Sequence, residues 1–182
     1  MIVISRRTVL AAGGTLAAAS WPRKPRAEEL QSLSAALQPV NPPMTAPDIV
    51  FVDAGGKPHH LTEFRGHGMV INLWATWCAP CVAEMPSLAA LSKTLAPADI
   101  AVLPLSSDHG GAAAVEAFFK AHGITGLPVL LDPQGAAERA FKVEGIPTSV
   151  IIDKNGLVSA RLSGSADWAT AAAAAKVRSL AG

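Results

Sequence analysis

The chain has 182 residues, of which 50% are hydrophobic and 16% are charged. This is enough for one domain with a hydrophobic core, and it argues against disorder. The formal net charge is +1, but residues 1–27 contain five of the 15 basic residues and none of the 14 acidic ones. The rest of the chain therefore has 10 basic and 14 acidic residues, a net charge of −4. A mildly acidic body lacks the basic surface that nucleic acids require, so we expect no nucleic-acid partner.

The first 27 residues have the pattern of an export signal. Ser5-Arg6-Arg7-Thr8-Val9-Leu10 resembles the twin-arginine motif, and the weakly apolar run from Val9 to Ala19 suits a signal better than a membrane-spanning helix. A fortuitous pair of arginines before a helix is the alternative. Cleavage after Ala19, cleavage after Ala27 and retention as a membrane anchor all fit the pattern. Export predicts a periplasmic location, where oxidation is the default and a reducing protein must be re-reduced through the membrane.

The segment before the predicted domain is rich in proline. Four prolines between residues 38 and 47 disfavour helix, so residues 28–46 are predicted to be a linker that is extended after a short helix over Glu28 to Leu37. The remainder, residues 47–182, is the predicted domain. It opens with a β-hairpin made of a strand over Asp48 to Val52, a turn at Asp53 to Gly56 and a second extended piece over Lys57 to Phe64.

Strands and helices then alternate along the chain. The apolar run Met69 to Trp74 predicts a central strand covered on both faces. Apolar residues recur at helical spacing from Ala79 to Leu95, and Pro86 inside this helix predicts a kink. The remaining predictions are a strand over Ile100 to Ser106, a helix over Gly111 to His122, a short strand over Leu127 to Leu131, a short helix over Ala136 to Phe141, two strands over Thr148 to Asp153 and Leu157 to Leu162 joined by an Asn-Gly turn, and a closing helix over Ala166 to Leu180. This pattern predicts an α/β domain.

The only two cysteines, Cys78 and Cys81, stand two residues apart between the central strand and its helix. A C-x-x-C in this position is a recognised redox arrangement. At a helix N-terminus a cysteine lies near unpaired N–H groups and the positive end of the helix dipole, which favours the reactive thiolate. We therefore expect Cys78 to be the exposed nucleophile and Cys81, one turn later, to be the resolving thiol.

Two other readings of the cysteine pair stay open. A structural zinc site would need two further ligands, while no other cysteine exists and the five histidines are scattered. An unrelated buried pair is the second. His59, His60 and His67 cluster loosely near the hairpin, and surface histidines explain them better than a metal site. We expect no bound metal and no cofactor.

The segment Trp74-Ala75-Thr76-Trp77-Cys78-x-x-Cys81-x-x-Glu84-Met85-Pro86 resembles the active-site signature of the TlpA/ResA-type, DsbE-like thioredoxin-like proteins. These proteins are exported or membrane-anchored thiol-disulfide oxidoreductases. The resemblance covers the motif and, more loosely, residues 46–180. It implies a thioredoxin-like fold, with a central mixed β-sheet flanked by helices and an N-terminal β-hairpin extension.

The resemblance also implies a substrate-binding loop. Gly145-Ile146-Pro147-Thr148 occupies the place where thioredoxin-like proteins carry a cis-proline beside the dithiol, and the backbone of Ile146 could pair with a substrate strand. An ordinary trans-proline that opens a strand is the alternative for Pro147. Trp77 could offer an apolar docking face, whereas core packing is the expected role of Trp74.

Glu84 falls where this family carries an acid near the buried thiol, and a carboxylate there could relay the proton of Cys81. A solvated acid in the first turns of the helix is the alternative. Asn72 stands where ordinary thioredoxins have a buried aspartate, six residues before the first cysteine. A neutral amide cannot act as a base, so a proton relay would depend on Glu84 or on water.

The leading hypothesis is a periplasmic reductant of client protein disulfides. The resemblance implies a membrane electron donor of the CcdA or DsbD type, and clients such as apocytochrome c or a copper-site protein. A Cu(I)-binding assembly factor is the second hypothesis, because two thiolates can bind Cu(I). A thiol peroxidase is the third, and a C-x-x-C fits disulfide exchange better.

Overall fold

The computed structural model describes residues 37–182, so the predicted export signal lies outside the described residues. The helices and strands are β1 Gln38–Thr45, β2 Val50–Asp53, β3 Pro58–His60, β4 Gly68–Trp74, α1 Ala79–Leu95, β5 Ile100–Ser106, α2 Gly111–His122, β6 Leu130–Leu131, α3 Ala136–Ala140, β7 Thr148–Ile152, β8 Leu157–Ser163 and α4 Ala171–Ala181. The bounds of α1, β5 and α2 are those predicted from the sequence.

The eight strands form one mixed sheet in the order β1-β8-β7-β4-β5-β6-β2-β3. β4 lies in its middle, parallel to β5 and antiparallel to β7. All seven residues of β4 are buried, as expected for a strand that is covered on both faces.

Side chains alternate between the two faces of β4. Val70 and Trp74 pack with buried residues of α1, α2 and α4, whereas Ile71 packs on the opposite face in the layer that contains Phe141. Asn72 shares the face of Val70 and Trp74 by this alternation. The strand therefore directs one polar side chain toward the helix that begins at the cysteines.

The linker prediction is wrong for residues 38–45. These residues form β1, which pairs antiparallel with β8 from Gln38 opposite Arg161 to Thr45 opposite Leu157. Proline lacks a backbone N–H but is tolerated on an edge strand, where one side of the backbone needs no partner. The pairing is irregular between Pro39 and Met44, the stretch that holds two further prolines.

Three other segments differ from the predictions by three residues or more. Leu61–Phe64, expected to be extended, forms a 3-10 helix after β3. The sixth strand begins at Leu130 rather than Leu127, after Pro128, which has no N–H to donate. The last helix begins at Ala171 instead of Ala166. Thr170 caps this start, since its side-chain oxygen accepts from the Ala173 N–H at 3.0 Å.

Among the residues from Leu37 onward, no helix is both long enough and apolar enough to cross a membrane.

Candidate active site

The two cysteines stand at the junction of β4 and α1. Cys78 is the N-cap of α1, and its Sγ accepts a hydrogen bond from the backbone N–H of Cys81 at 3.3 Å. Pro80 lies in the first turn, where its missing N–H leaves no helical bond unmade. The two sulfurs form a disulfide with an S–S distance of 2.08 Å. Cys78 is 6% exposed and Cys81 is fully buried, so Cys78 is the more accessible of the two, although it is not the exposed residue that we expected from the sequence.

The loop before Cys78 is held by Asp108. Its carboxylate accepts hydrogen bonds from the Thr76 N–H at 2.9 Å, the Thr76 hydroxyl at 2.6 Å and the Ser106 hydroxyl at 2.7 Å. Ser107 N–H also donates to the Trp74 carbonyl at 3.0 Å. These bonds join the carboxyl ends of β4 and β5, so they fix where the chain turns into the C-x-x-C.

The loop of Ile146 and Pro147 faces the more accessible sulfur. The Ile146–Pro147 peptide bond is cis, as predicted from the sequence. The carbonyl oxygen of Ile146 lies 3.7 Å from Cys78 Sγ, a contact that the thiol of the reduced state could strengthen by donating. The hydroxyl of Thr148 donates to the Gly145 carbonyl at 2.6 Å and so holds the loop.

A groove opens beside this loop. Trp77, which is 66% exposed, lines the groove together with Ile146. Trp74 is instead buried against Phe118 and Phe119, which agrees with its expected core role. The charged and titratable residues farther along the groove are His109, Asp132, Glu138, Arg139 and Glu144.

Glu84 lies one turn after Cys81 on α1, and its residue has no solvent exposure. The alternative of a solvated helix acid therefore does not hold. One carboxylate oxygen, Oε2, accepts from the Ala166 N–H at 3.0 Å and the Trp168 indole N–H at 3.1 Å. The other, Oε1, accepts from the Asn72 side-chain amide at 2.9 Å.

Burial raises the pKa of the Glu84 carboxyl from its usual 4.5 to about 7, against the opposing effect of the three hydrogen bonds that it accepts. A carboxyl with this pKa can both take up and release a proton near neutral pH. It stands on the helix that carries both cysteines.

The histidines near the hairpin are engaged with carboxylates. His59 contacts Glu63 through Nδ1 at 3.1 Å and Asp53 through Nε2 at 3.3 Å, and these two partners raise its pKa. His67 pairs with Asp99 at 2.8 Å. Within residues 37–182, no group of three or more histidine, cysteine or acidic side chains is arranged to hold a metal ion.

Residues 42–177 match the family model described as Redoxin, and this span contains the whole of the site. The chain belongs to the Redoxin family. The thiol-disulfide oxidoreductase ResA of Geobacillus thermodenitrificans is 37% identical over 120 residues, which cover 66% of this chain and 68% of that relative. A crystal structure described as thiol:disulfide interchange protein DsbE from Chlorobium tepidum is 25% identical, with a TM-score of 0.63 and coverage of 76% of this chain and 93% of that one. The exposed lipoprotein thioredoxin of Streptococcus pneumoniae is 31% identical, with a TM-score of 0.53 and coverage of 63% and 87%.

This Redoxin-family chain is therefore a thiol-disulfide oxidoreductase of the ResA and DsbE type with a thioredoxin-like fold. Both the fold and the enzyme class that the C-x-x-C signature implied are confirmed.

Sequence reasoning missed two residues of this Redoxin site. Asp108 follows β5, and the carboxyl ends of neighbouring parallel strands meet at one edge, so its position was a usable signal. Trp168 gave no such signal. It reaches Glu84 across 84 positions of sequence, because the segment before α4 turns inward instead of continuing that helix.

Proposed function

We propose that the protein is a periplasmic reductant of client protein disulfides, with Cys78 as nucleophile and Cys81 as resolving thiol. The observation that carries the proposal is the position of Cys78. It is the N-cap of α1 and the more exposed sulfur, and it faces the cis-proline loop. The N-terminal N–H groups and dipole of a helix stabilise a thiolate at that position.

In the first step, the Cys78 thiolate attacks one sulfur of a client disulfide. The client S–S bond breaks, a bond forms between Cys78 and that sulfur, and the other client sulfur leaves as a thiolate that takes up a proton. In the second step, Cys81 loses its proton to Glu84 and attacks Cys78 Sγ. The mixed disulfide breaks, the second client sulfur leaves as a thiolate that takes up a proton, and the new Cys78–Cys81 bond leaves the pair oxidised.

Trp77, Ile146 and Pro147 would bind the client next to the reacting sulfurs. Trp77 offers an exposed apolar face beside the groove. The carbonyl oxygen of Ile146 lies 3.7 Å from Cys78 Sγ, and an extended client segment could pair with this backbone as a short added strand. Such pairing holds the client through the backbone around its disulfide, so clients with different side chains could bind.

Export by the twin-arginine-type signal over residues 1–27 would place this reaction in the periplasm, with cleavage or retention as an anchor both compatible with it. The exposed lipoprotein relative supports a location outside the cytoplasm. Each turnover oxidises the cysteine pair, so a membrane donor of the CcdA or DsbD type would be needed to reduce it. Apocytochrome c or a copper-site protein is the proposed client.

Substituting the resolving cysteine tests these roles. In the Cys81→Ser variant the first step proceeds but the second cannot, so mixed disulfides between Cys78 and client proteins should accumulate in periplasm and disappear on treatment with a reductant. Mass spectrometry of the trapped species would identify the client. The matched control is Cys78→Ser, which keeps the fold but lacks the attacking sulfur.

The assignment of the nucleophile would be wrong if Cys78→Ser traps clients and Cys81→Ser does not. Trapping by neither variant, with wild type still active toward disulfides, would contradict the two-step scheme.

A further inference from the structure

Asn72 is a buried amide with an unusual set of contacts. Its side-chain nitrogen donates both hydrogens, one to Glu84 Oε1 at 2.9 Å and one to the Ser149 hydroxyl oxygen at 3.0 Å. Its oxygen, Oδ1, has no hydrogen-bond partner within residues 37–182, although Asn72 is fully buried. An unpaired buried acceptor costs stability, so this arrangement calls for an explanation.

The two orientations of a carboxamide exchange its oxygen and its nitrogen and keep its shape. In the present orientation, the nitrogen supplies two donors, which suits an ionised Glu84. After a half-turn the oxygen would supply two acceptors, one for the hydrogen of a protonated Glu84 and one for the Ser149 hydroxyl. Ser149 fits both states, because a hydroxyl can accept or donate.

We propose that Asn72 is a positioning residue that turns over with the charge of Glu84. It presents its nitrogen to the carboxylate and its oxygen to the carboxylic acid. One amide atom stays unpaired in either orientation, the oxygen when Glu84 is ionised and the nitrogen when it is protonated. Glu84 can then gain or lose its proton without an N–H of Asn72 facing the O–H of the protonated acid.

The contacts on the other carboxyl oxygen agree with this assignment. Oε2 already accepts from two N–H groups, those of Ala166 and the Trp168 indole. Among the described residues Oε1 accepts from Asn72 alone, which leaves it a lone pair that can take a proton. Asn72 therefore faces Oε1, the carboxyl oxygen that takes up and releases the proton.

No neighbouring charge accounts for the behaviour of Glu84. Its partners on β4 and in the segment before α4 do not titrate, and no ion pair reaches it among residues 37–182. Lys93, on the same helix, lies in its last turn and donates to the Thr125 hydroxyl. Cys78 and Cys81 are the titratable groups at the start of that helix. They do not titrate while they form a disulfide, so the oxidised protein isolates the Glu84–Asn72 pair.

The test is a pH titration of the oxidised protein by nuclear magnetic resonance. The chain has three asparagines, so the side-chain amide signals of Asn41, Asn72 and Asn155 can be followed together. We expect the Asn72 amide signals to shift with the same midpoint as the Glu84 carboxyl carbon, and their contacts with Ser149 protons to change. The signals of Asn41, an exposed residue of β1, serve as the control. Asn72 signals that stay constant while Glu84 titrates would overturn the proposal.

Two variants of similar size extend the test. Asn72→Leu removes the amide, and the ionised acid then loses the stronger, charge-assisted bond, so the Glu84 midpoint should rise by about one pH unit. Asn72→Asp places two carboxyls in contact, and they should titrate in two steps on either side of the wild-type midpoint. An unchanged midpoint in folded Asn72→Leu would contradict the proposal.

The inference deepens the proposed function, because it concerns the acid assigned to Cys81. Its test uses no client and no reduced cysteine. A failure of client trapping would therefore leave the amide result standing, and a constant amide would leave the cysteine roles standing.

Discussion

Glu84 is an ionisable side chain that is fully buried, and this burial determines the pKa of its carboxyl. Desolvation penalises the carboxylate more than its three hydrogen bonds stabilise it, so the pKa rises to about 7. A carboxyl that is paired with an opposite charge or hydrogen-bonded without deep burial usually has a lowered pKa, and it favours the folded state at high pH. Glu84 does the reverse, which is a cost to stability that a proton-transfer role would explain.

The first prediction concerns stability against pH. Below pH 4.5 the Glu84 carboxyl is protonated in both the folded and the unfolded state, so the free energy of unfolding does not change with pH on its account. As pH rises, the unfolded chain releases this proton first, and the free energy of unfolding should fall by about 3 kcal/mol until pH passes 7, where the folded state also ionises.

Glu84→Gln is the matched variant, since its amide can donate to a reoriented Asn72 and still accept from Trp168. Urea unfolding at about pH 5 and about pH 8 should show the variant gaining stability relative to wild type at the higher pH. A difference that does not change with pH would mean that Glu84 is ionised throughout.

The residue scale also shows what a sequence can reveal about a site. Cys78, Cys81 and the cis bond at Pro147 were predictable because local motifs determine them. The burial of Glu84 was not, because Trp168 and Ala166 reach it from a distant segment whose path depends on tertiary packing. Asn72 was recognised as a departure from thioredoxins, but its unpaired oxygen became visible only with its neighbours in place.

At the scale of elements, the strand-loop-helix unit of β4 and α1 positions the cysteines, and the loop after β5 holds that unit in place. The carboxylate of Asp108 binds Thr76 twice, through its N–H and its hydroxyl, two residues before Cys78. The geometry of the N-cap therefore depends on a loop that contains neither cysteine.

The second prediction tests this loop with a matched pair of substitutions. Thr76→Val keeps the shape of the side chain but removes the hydroxyl donor to Asp108, so the domain should lose about 1–3 kcal/mol of stability. Cys78 should also react more slowly with an alkylating reagent after reduction, because the thiolate is less well placed at the helix N-terminus.

Thr76→Ser retains the hydroxyl and should stay close to wild type in alkylation rate. Equal rates for the two variants, both folded, would show that the bond to Asp108 does not position Cys78.

Elements with a strong periodic pattern were predicted correctly, as α1, β5 and α2 show. The errors fall where tertiary contacts override local preference. β1 is a strand despite its prolines because β8 offers it a partner at the edge of the sheet. Residues 166–168, alanine-rich in context and predicted helical, leave the helix because Ala166 and Trp168 bind Glu84.

At the scale of the whole molecule, one mixed sheet places the cysteines just after its central strand and the cis-proline loop just before the neighbouring β7. Helices pack on the central strands, whereas the edge strand β1 is largely exposed. This architecture suits an enzyme that exchanges electrons with large partners through the more accessible of its two sulfurs. Its direction of action depends on the reduction potential of the cysteine pair, which the fold alone does not set.

The reduction potential of the Cys78–Cys81 pair is therefore the most direct measurement of the central claim. It is obtained by equilibrating the protein with defined mixtures of reduced and oxidised dithiothreitol or glutathione and counting free thiols. A client reductant should have a potential in or below the range of about −200 to −270 mV typical of glutaredoxins and thioredoxin. A value near −120 mV, that of the oxidant DsbA, would contradict the account.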